Sequence, residues 1–343
     1  PYYDHRSDTG KLTGKSQRII GGEVEDLKRI RRVLSVALLA SAMLVPGGAF
    51  GLLPAGPGHT TAALWLPLVP AVSAEALSPP AFLDAAYHPE LAENGGRAQV
   101  DLSCVSEGYV AVSAVSDMRL KFQVVKGEEV YNYDLDSDGE PGIFPLQSGS
   151  GNYRFRVMEN VVDKKYSELY AVSCDVALAD GFQPFLRPSS YVDYTRDSAC
   201  VQKAAEIAAA SSTSREMVMA IYDLITRTVT YDREKAATVK SGYLPDPDET
   251  LRTGKGICFD YAALAAAMLR SQGVPTKMIF GYVAPKGLYH AWNMFYTEET
   301  GWVTVSFDVN VSDWSRIDLT FSANGADADF IGDGSNYTDV YCY

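Results

Sequence analysis

The chain has 343 residues, 47% of them hydrophobic and 21% charged, and a net charge of −13. That length suits about two domains of ordinary globular composition. The acidic balance excludes nucleic acid as the main partner, because phosphate binding needs clustered Lys and Arg, and beyond the N-terminus no basic patch would seek an anionic lipid surface.

Residues 1–32 hold eight Lys/Arg against five Asp/Glu, and Val33 to Ala74 carry no charged side chain. A basic flank (Lys28, Arg29, Arg31, Arg32) followed by the apolar block Val33–Leu44 has the order of an export signal. Pro46, Gly47 and Gly48 break the block, and Ala71-Val72-Ser73-Ala74 offers small residues for cleavage before Glu75. Val33–Leu53 is also about the ~20 residues that span a bilayer. A cleaved signal and a retained anchor both place the rest of the chain outside the cytoplasm, secreted or membrane-anchored. The five cysteines are Cys104, Cys174, Cys200, Cys258 and Cys342. In an exported chain an odd number suggests one free thiol, with the other four either bridged in one of three connectivities or left as buried thiols.

From Arg97 to Leu178 the text alternates as short strands: Lys121–Val124, Tyr131–Asp134, Tyr153–Val157 and Leu169–Leu178. Turns fall at Lys126-Gly127-Glu128 and Asp136–Gly139, so an antiparallel sandwich is expected. Asp134-Leu135-Asp136-Ser137-Asp138-Gly139 opens like a calcium loop, but its twelfth position is Pro145 instead of the bidentate Glu such a loop needs, and a hairpin turn is the better reading. After Pro188–Tyr194 the period becomes helical. Asp197–Ala210 is Ala-rich, and Thr213-Ser214-Arg215-Glu216 is a capping box ahead of Met217, Ala220, Ile221, Leu224 and Ile225 on one face. A loop with Gly242, Pro245 and Pro247 follows, then Gly254-Lys255-Gly256 and a third helix from Cys258 to Arg270, closed by Gly273 and Pro275. Strand periods return in Thr276–Val283, His290–Tyr296, Trp302–Phe307 and Trp314–Phe321. Helices first and strands after predict α+β with an antiparallel sheet.

Cys258 opens a helix directly after a glycine turn. The positive end of the helix dipole stabilises a thiolate there, and unpaired backbone N–H groups, the Cys258 amide first, are available to an oxyanion. The two glycines are expected to give a tight turn and room for substrate. His290 is the one histidine of the C-terminal half and supplies the base that a thiol near pKa 8.5 needs. Trp292 is expected on the opposite strand face, packed in the core. Tyr243 is either an oxyanion donor or, preferably, a loop tyrosine with a solvated hydroxyl. Neither zinc-type ligand spacing nor a phosphate-binding glycine loop occurs, so no metal or cofactor is expected.

Gly256-Ile257-Cys258-Phe259-Asp260-Tyr261-Ala262, Gly273-Val274-Pro275, Gly281-Tyr282, His290-Ala291-Trp292-Asn293 and Trp314–Phe321 together resemble the transglutaminase-like superfamily over about residues 196–343. The resemblance implies a papain-like Cys-His-Asp core of helices and antiparallel sheet, and the layout is similar to exported proteins of Gram-positive bacteria. It implies an aspartate four residues after a tryptophan. Trp302 leads to Ser306, with Asp308 two further on, whereas Trp314 leads to Asp318, so Asp318 is expected as third member in preference to Asp308. The expected organisation is residues 1–74 as basic flank with signal or anchor, 75–195 as an accessory β-sandwich-like domain, and 196–343 as a catalytic domain. Acyl transfer on protein or peptide amides through a Cys258 thioester follows, with hydrolysis favoured over transamidation. The second reading is a non-catalytic cell-surface binding module on the same fold.

Overall fold

In the first half, alternating side chains build two antiparallel four-stranded sheets, one ordered β1-β2-β3-β6 and the other β5-β4-β7-β8. The strands are β1 (Glu93–Asn94), β2 (Ala98–Asp101), β3 (Tyr109–Ala114), β4 (Leu120–Lys126), β5 (Glu129–Leu135), β6 (Gly142–Pro145), β7 (Gly151–Val162) and β8 (Lys165–Val176). Leu120, Phe122 and Val124 of β4 and Tyr153, Phe155 and Val157 of β7 are buried while their neighbours are less so, the period of two that a half-covered strand requires. Phe122 meets Phe144 of the other sheet at 4.7 Å between ring centroids, so the inner faces close into the expected sandwich. The acidic segment after β5 is a bend that crosses to the other sheet, a correction to the hairpin reading, because β5 and β6 do not pair, and the Asp134 carboxylate is engaged by Arg119 at 2.6 Å and Lys121 at 3.5 Å.

This computed structural model describes residues 77–78, 80–283, 288–298, 300–309, 317–322 and 337–343, which fall in one compact unit containing residues 76–343. The apolar N-terminal stretch lies outside the described residues. Among those described, no helix is long and apolar enough to cross a membrane.

Five helices follow among the described residues: α1 (Ala199–Ala209), α2 (Ser214–Thr228), α3 (Arg233–Thr238), α4 (Pro247–Thr253) and α5 (Cys258–Ser271). The capping box of α2 forms with a one-residue offset. Thr213 Oγ1 accepts from the Glu216 N–H at 3.1 Å, and the Glu216 carboxylate accepts from the Ser212 N–H at 2.9 Å. Its buried stripe is Met217, Val218, Ile221, Tyr222 and Ile225, and Ala220, expected on that face, is exposed. Helices α3 and α4 occupy stretches expected to be loop. Each is capped by an aspartate, Asp232 accepting from the Lys235 N–H at 2.8 Å and Asp246 from the Glu249 N–H at 2.9 Å. Asp248 of α4 also accepts from the Ala199 and Cys200 N–H groups, both at 2.9 Å, and so caps α1 from outside.

α5 is the centre of this half. Every residue from Phe259 to Ser271 is buried, and Ala262, Ala263, Ala265, Ala266 and Ala267 let neighbours approach on all sides. It lies against α1, α2, α4 and a five-stranded antiparallel sheet ordered β14-β13-β12-β11-β15. Those strands are β11 (Thr276–Val283), β12 (Leu288–Thr297), β13 (Gly301–Val309), β14 (Ile317–Ser322) and β15 (Tyr337–Cys342). The last was not expected from sequence. A short parallel pair, β9 (Thr230–Tyr231) with β10 (Lys255–Gly256), ties the end of α2 to the start of α5.

Sandwich and helical half share one continuous apolar core. Arg270, only 2% exposed at the far end of α5, joins them by donating to the main-chain oxygens of Thr276 (2.9 Å), Arg187 (3.0 Å) and Tyr343 (3.2 Å). An extended strap from Leu77 adds a second tie. The Leu77 N–H bonds Ser211 O at 3.1 Å, Pro80 packs on Gly273, Arg187 bonds Asp84 O, and the His88 N–H meets the Asp101 carboxylate at 2.8 Å. Replacing Arg270 with Ala strands three buried carbonyls, and a loss of about 3 kcal/mol or more is expected in urea unfolding. Arg270→Lys, which lacks the planar fork, is expected to recover only part of that loss.

Candidate active site

The start of α5 is prepared by two glycines with different tasks. Gly254 ends α4 at φ 61°, and a Cβ there would stand 2.6 Å from Thr228 O. At Gly256 an added Cβ would lie 2.7 Å from the Asp260 Cβ. The room that Gly256 leaves is therefore filled by Asp260, a correction to the expectation that it makes space for substrate.

Asp260 is fully buried and stands at the third position of α5, where a carboxylate can turn back onto the helix start. One oxygen accepts from the Ile257 N–H at 2.7 Å and pairs with Lys235 Nζ at 2.8 Å, while the other accepts from the Tyr243 hydroxyl at 2.5 Å. Lys235 in turn donates to that hydroxyl and lies over the Tyr243 ring, 4.4 Å from its centroid. A phenol has one proton to give. Tyr243 gives it to Asp260, so the hydroxyl is neither an oxyanion donor nor solvated, and both sequence readings of it are corrected.

Cys258 is half-buried at the first position of α5, and His290 is buried on β12. The sulfur is hydrogen-bonded to the His290 ring and to the backbone N–H groups of Ala291 and Phe259. Burial works to raise the thiol pKa, but the His290 charge and these bonds outweigh it and hold Cys258 below its ordinary value. The other cysteines behave differently. Burial pushes Cys174, Cys200 and Cys342 up, the last to about 11, and all five are free thiols with no bridge among them. Of the pairing alternatives, unbridged thiols are what the structure contains.

Two neighbours of His290 fix its strand. Asn293, wholly buried, donates from Nδ2 to Ala262 O of α5 at 3.0 Å, holding β12 onto that helix. Trp292 lies on the same face as His290, with ring centroids 6.4 Å apart and planes 23° from parallel. Residues two apart in a strand share a face, so its expected place on the opposite face is corrected, while its burial agrees with a core role.

Asp318 lies on β14 and Asp308 on β13, directly across from one another in register. β13 pairs with β12 from Asn293↔Val305 to Thr297↔Gly301. That pairing ends before it reaches either His290 or Asp308. β14 is one strand further out, about 10 Å from β12 at the usual spacing of roughly 4.8 Å per strand. A cleft of about 40 Å³ is walled by Tyr243, Phe259, Phe280, Tyr289, Tyr341 and Tyr343, and Tyr289 lies on the face of β12 opposite His290. Phe259 and Tyr289 are the chain neighbours of Cys258 and His290. Asp260 and Lys235 were not singled out in the sequence. An acidic residue three positions after an apolar cap residue was the available signal for Asp260, and nothing local pointed to Lys235.

Residues 201–307 match the family described as the transglutaminase-like superfamily, and this part of the chain is a transglutaminase-like domain. Among solved structures, a protein of Cytophaga hutchinsonii described as a candidate cysteine protease is 17% identical, over 69% of this chain and 86% of that one, with a TM-score of 0.35. The periplasmic domain of TgpA from Pseudomonas aeruginosa, bound to ethylmercury, is 17% identical over 62% and 72%, TM-score 0.29. LapG of Legionella pneumophila is 16% identical over 42% and 83%, TM-score 0.26. No curated protein matches the chain at a significant level.

An activated thiolate is expected to show in alkylation. Iodoacetamide should label Cys258 well below pH 8, read by mass spectrometry across pH 4–9, and His290→Ala should move the labelling midpoint up toward the roughly 8.5 of an ordinary thiol.

Proposed function

We propose, from the transglutaminase-like domain of residues 201–307 and the Cys258–His290 pair within it, that the protein is a cysteine enzyme performing acyl transfer on protein or peptide amides. The observation that carries the reading is the placement of Cys258 at the first position of α5 beside the buried His290 of β12, whose charge holds the thiol pKa down. The Cys258 thiolate attacks the amide carbonyl, and the negative oxygen that develops is met by the Cys258 N–H at the helix start. His290 gives its proton to the departing nitrogen as the C–N bond breaks, leaving a thioester. Water, deprotonated by His290, then releases the acid and restores the thiol. A primary amine in place of water would give a new amide.

Hydrolysis is the favoured outcome, because amine transfer requires exclusion of water and a second binding site. Export supports a cell-surface or extracellular substrate, and it rests on the basic-then-apolar order of the N-terminal residues.

The acid that orients His290 is proposed from the facing pair Asp308 and Asp318. The tryptophan spacing supports Asp318, while strand order supports Asp308, whose strand is the immediate neighbour of β12. We favour Asp308 on strand order alone, since the group that sets a histidine tautomer must touch the ring.

Cys258→Ala is expected to abolish activity with little change in urea midpoint, assayed as ammonia release from a glutamine-containing peptide with and without a dansylated primary amine. Equal loss of stability and activity would sink the catalytic reading. Asp308→Asn should lower kcat by a factor on the order of 10² to 10⁴, whereas Asp318→Asn should stay within about threefold. The reverse pattern would assign the role to Asp318.

A further inference from the structure

Asp260 presents an electrostatic problem. Its carboxylate is fully buried and bonded to the N–H of the residue that precedes Cys258, so a negative charge shares the first turn of α5 with the thiolate. Like charges that close oppose one another, and the positive end of the helix dipole must serve both. The remedy on the page is Lys235 of α3, whose Nζ is 2.8 Å from one Asp260 oxygen and is held there by the Tyr243 hydroxyl and ring.

We propose that Lys235 is a positioning residue for the acyl transfer: its ammonium cancels the Asp260 charge, which caps the nucleophile helix, so that the cap does not oppose the Cys258 thiolate. The inference rests on reading Cys258 as the nucleophile. Among the described residues, the charged and titratable groups gathered around the start of α5 are His290 from β12, Asp260 and Tyr261 from α5 itself, Tyr231 from β9, Lys235 from α3 and Tyr243 from the loop that follows α3. His290 acts on the sulfur directly, Tyr261 meets the Asp260 charge through space, and Asp260, Lys235 and Tyr243 form one set of hydrogen bonds. Within that set the carboxylate is the one acceptor of both donors, so removing the ammonium leaves a net negative charge beside Cys258, and removing the carboxylate charge as well leaves none.

That logic defines a double-mutant cycle in the full chain, read as the pH midpoint of Cys258 alkylation by iodoacetamide, with circular dichroism confirming the fold of each variant. Lys235→Met is expected to raise the midpoint by about one pH unit, the size of shift usual for a partly shielded like charge. Lys235→Arg should leave it within about 0.3 of a unit. Lys235→Met combined with Asp260→Asn should return it to the wild-type value, an outcome that a purely structural role for Lys235 does not produce. If Lys235→Met does not fold, Lys235→Gln, which can still donate to Asp260, carries the same expectation. An unchanged midpoint in the folded single variant, or a rise that persists in the double variant, overturns the proposal alone. Wild-type Cys258 labelling only near pH 8.5 overturns the nucleophile reading, and this inference with it.

Discussion

A helix with no solvent face governs this protein. α5 buries all thirteen residues that follow Cys258, which requires helices on several sides and a sheet beneath it. The alanine run lowers the cost of that arrangement by letting backbones approach closely, and apolar burial at roughly 25 cal/mol per Å² supplies the driving force. Fixing one end of such a rod fixes the other. Arg270 anchors the C-terminal end to three main-chain oxygens from three different parts of the chain, so Cys258 at the opposite end has little freedom to drift.

The N-terminal end of α5 carries more demands than a helix start usually meets. A carboxylate and a thiol both draw on the same few N–H groups and on the same partial charge. They are reconciled by separation. Asp260 turns back to the Ile257 N–H and is closed off by Lys235 and Tyr243, while the sulfur takes the Phe259 N–H and turns toward Ala291 and His290. The glycine at position 256 makes this division geometrically feasible, because any side chain there would collide with Asp260.

Much of this was legible in the sequence where the signal is local. The Thr213–Glu216 capping box, the glycine turn into Cys258 and the alternation in β4, β7 and β11 each lie within a few residues, and each element formed where its pattern predicts. Helices α3 and α4 stand where a loop is expected: Asp232 and Asp246 are ordinary caps, but helices of six and seven residues show little periodicity, and Gly242, Pro245 and Pro247 carry a stronger loop signal. β15 was missed for a physical reason. Its partner β11 is distant in sequence, and a strand at a sheet edge is stabilised by that pairing and not by its own text. The same limit applies to the choice between Asp308 and Asp318, since a tryptophan spacing is local and strand order is not.

The strap at Leu77–His88 bears on the order in which the molecule can be completed. Its partners Ser211 and Gly273 belong to the helical half, and Arg187, which holds Asp84, is itself bonded through its carbonyl to Arg270. Closure of the early part of the unit therefore waits for chain made much later, and contacts of such long sequence separation slow folding because loop entropy must be lost before they form. During synthesis the sandwich emerges before the helices and the sheet around β11 that the strap closes on, so its seam stays open until those later elements are in place.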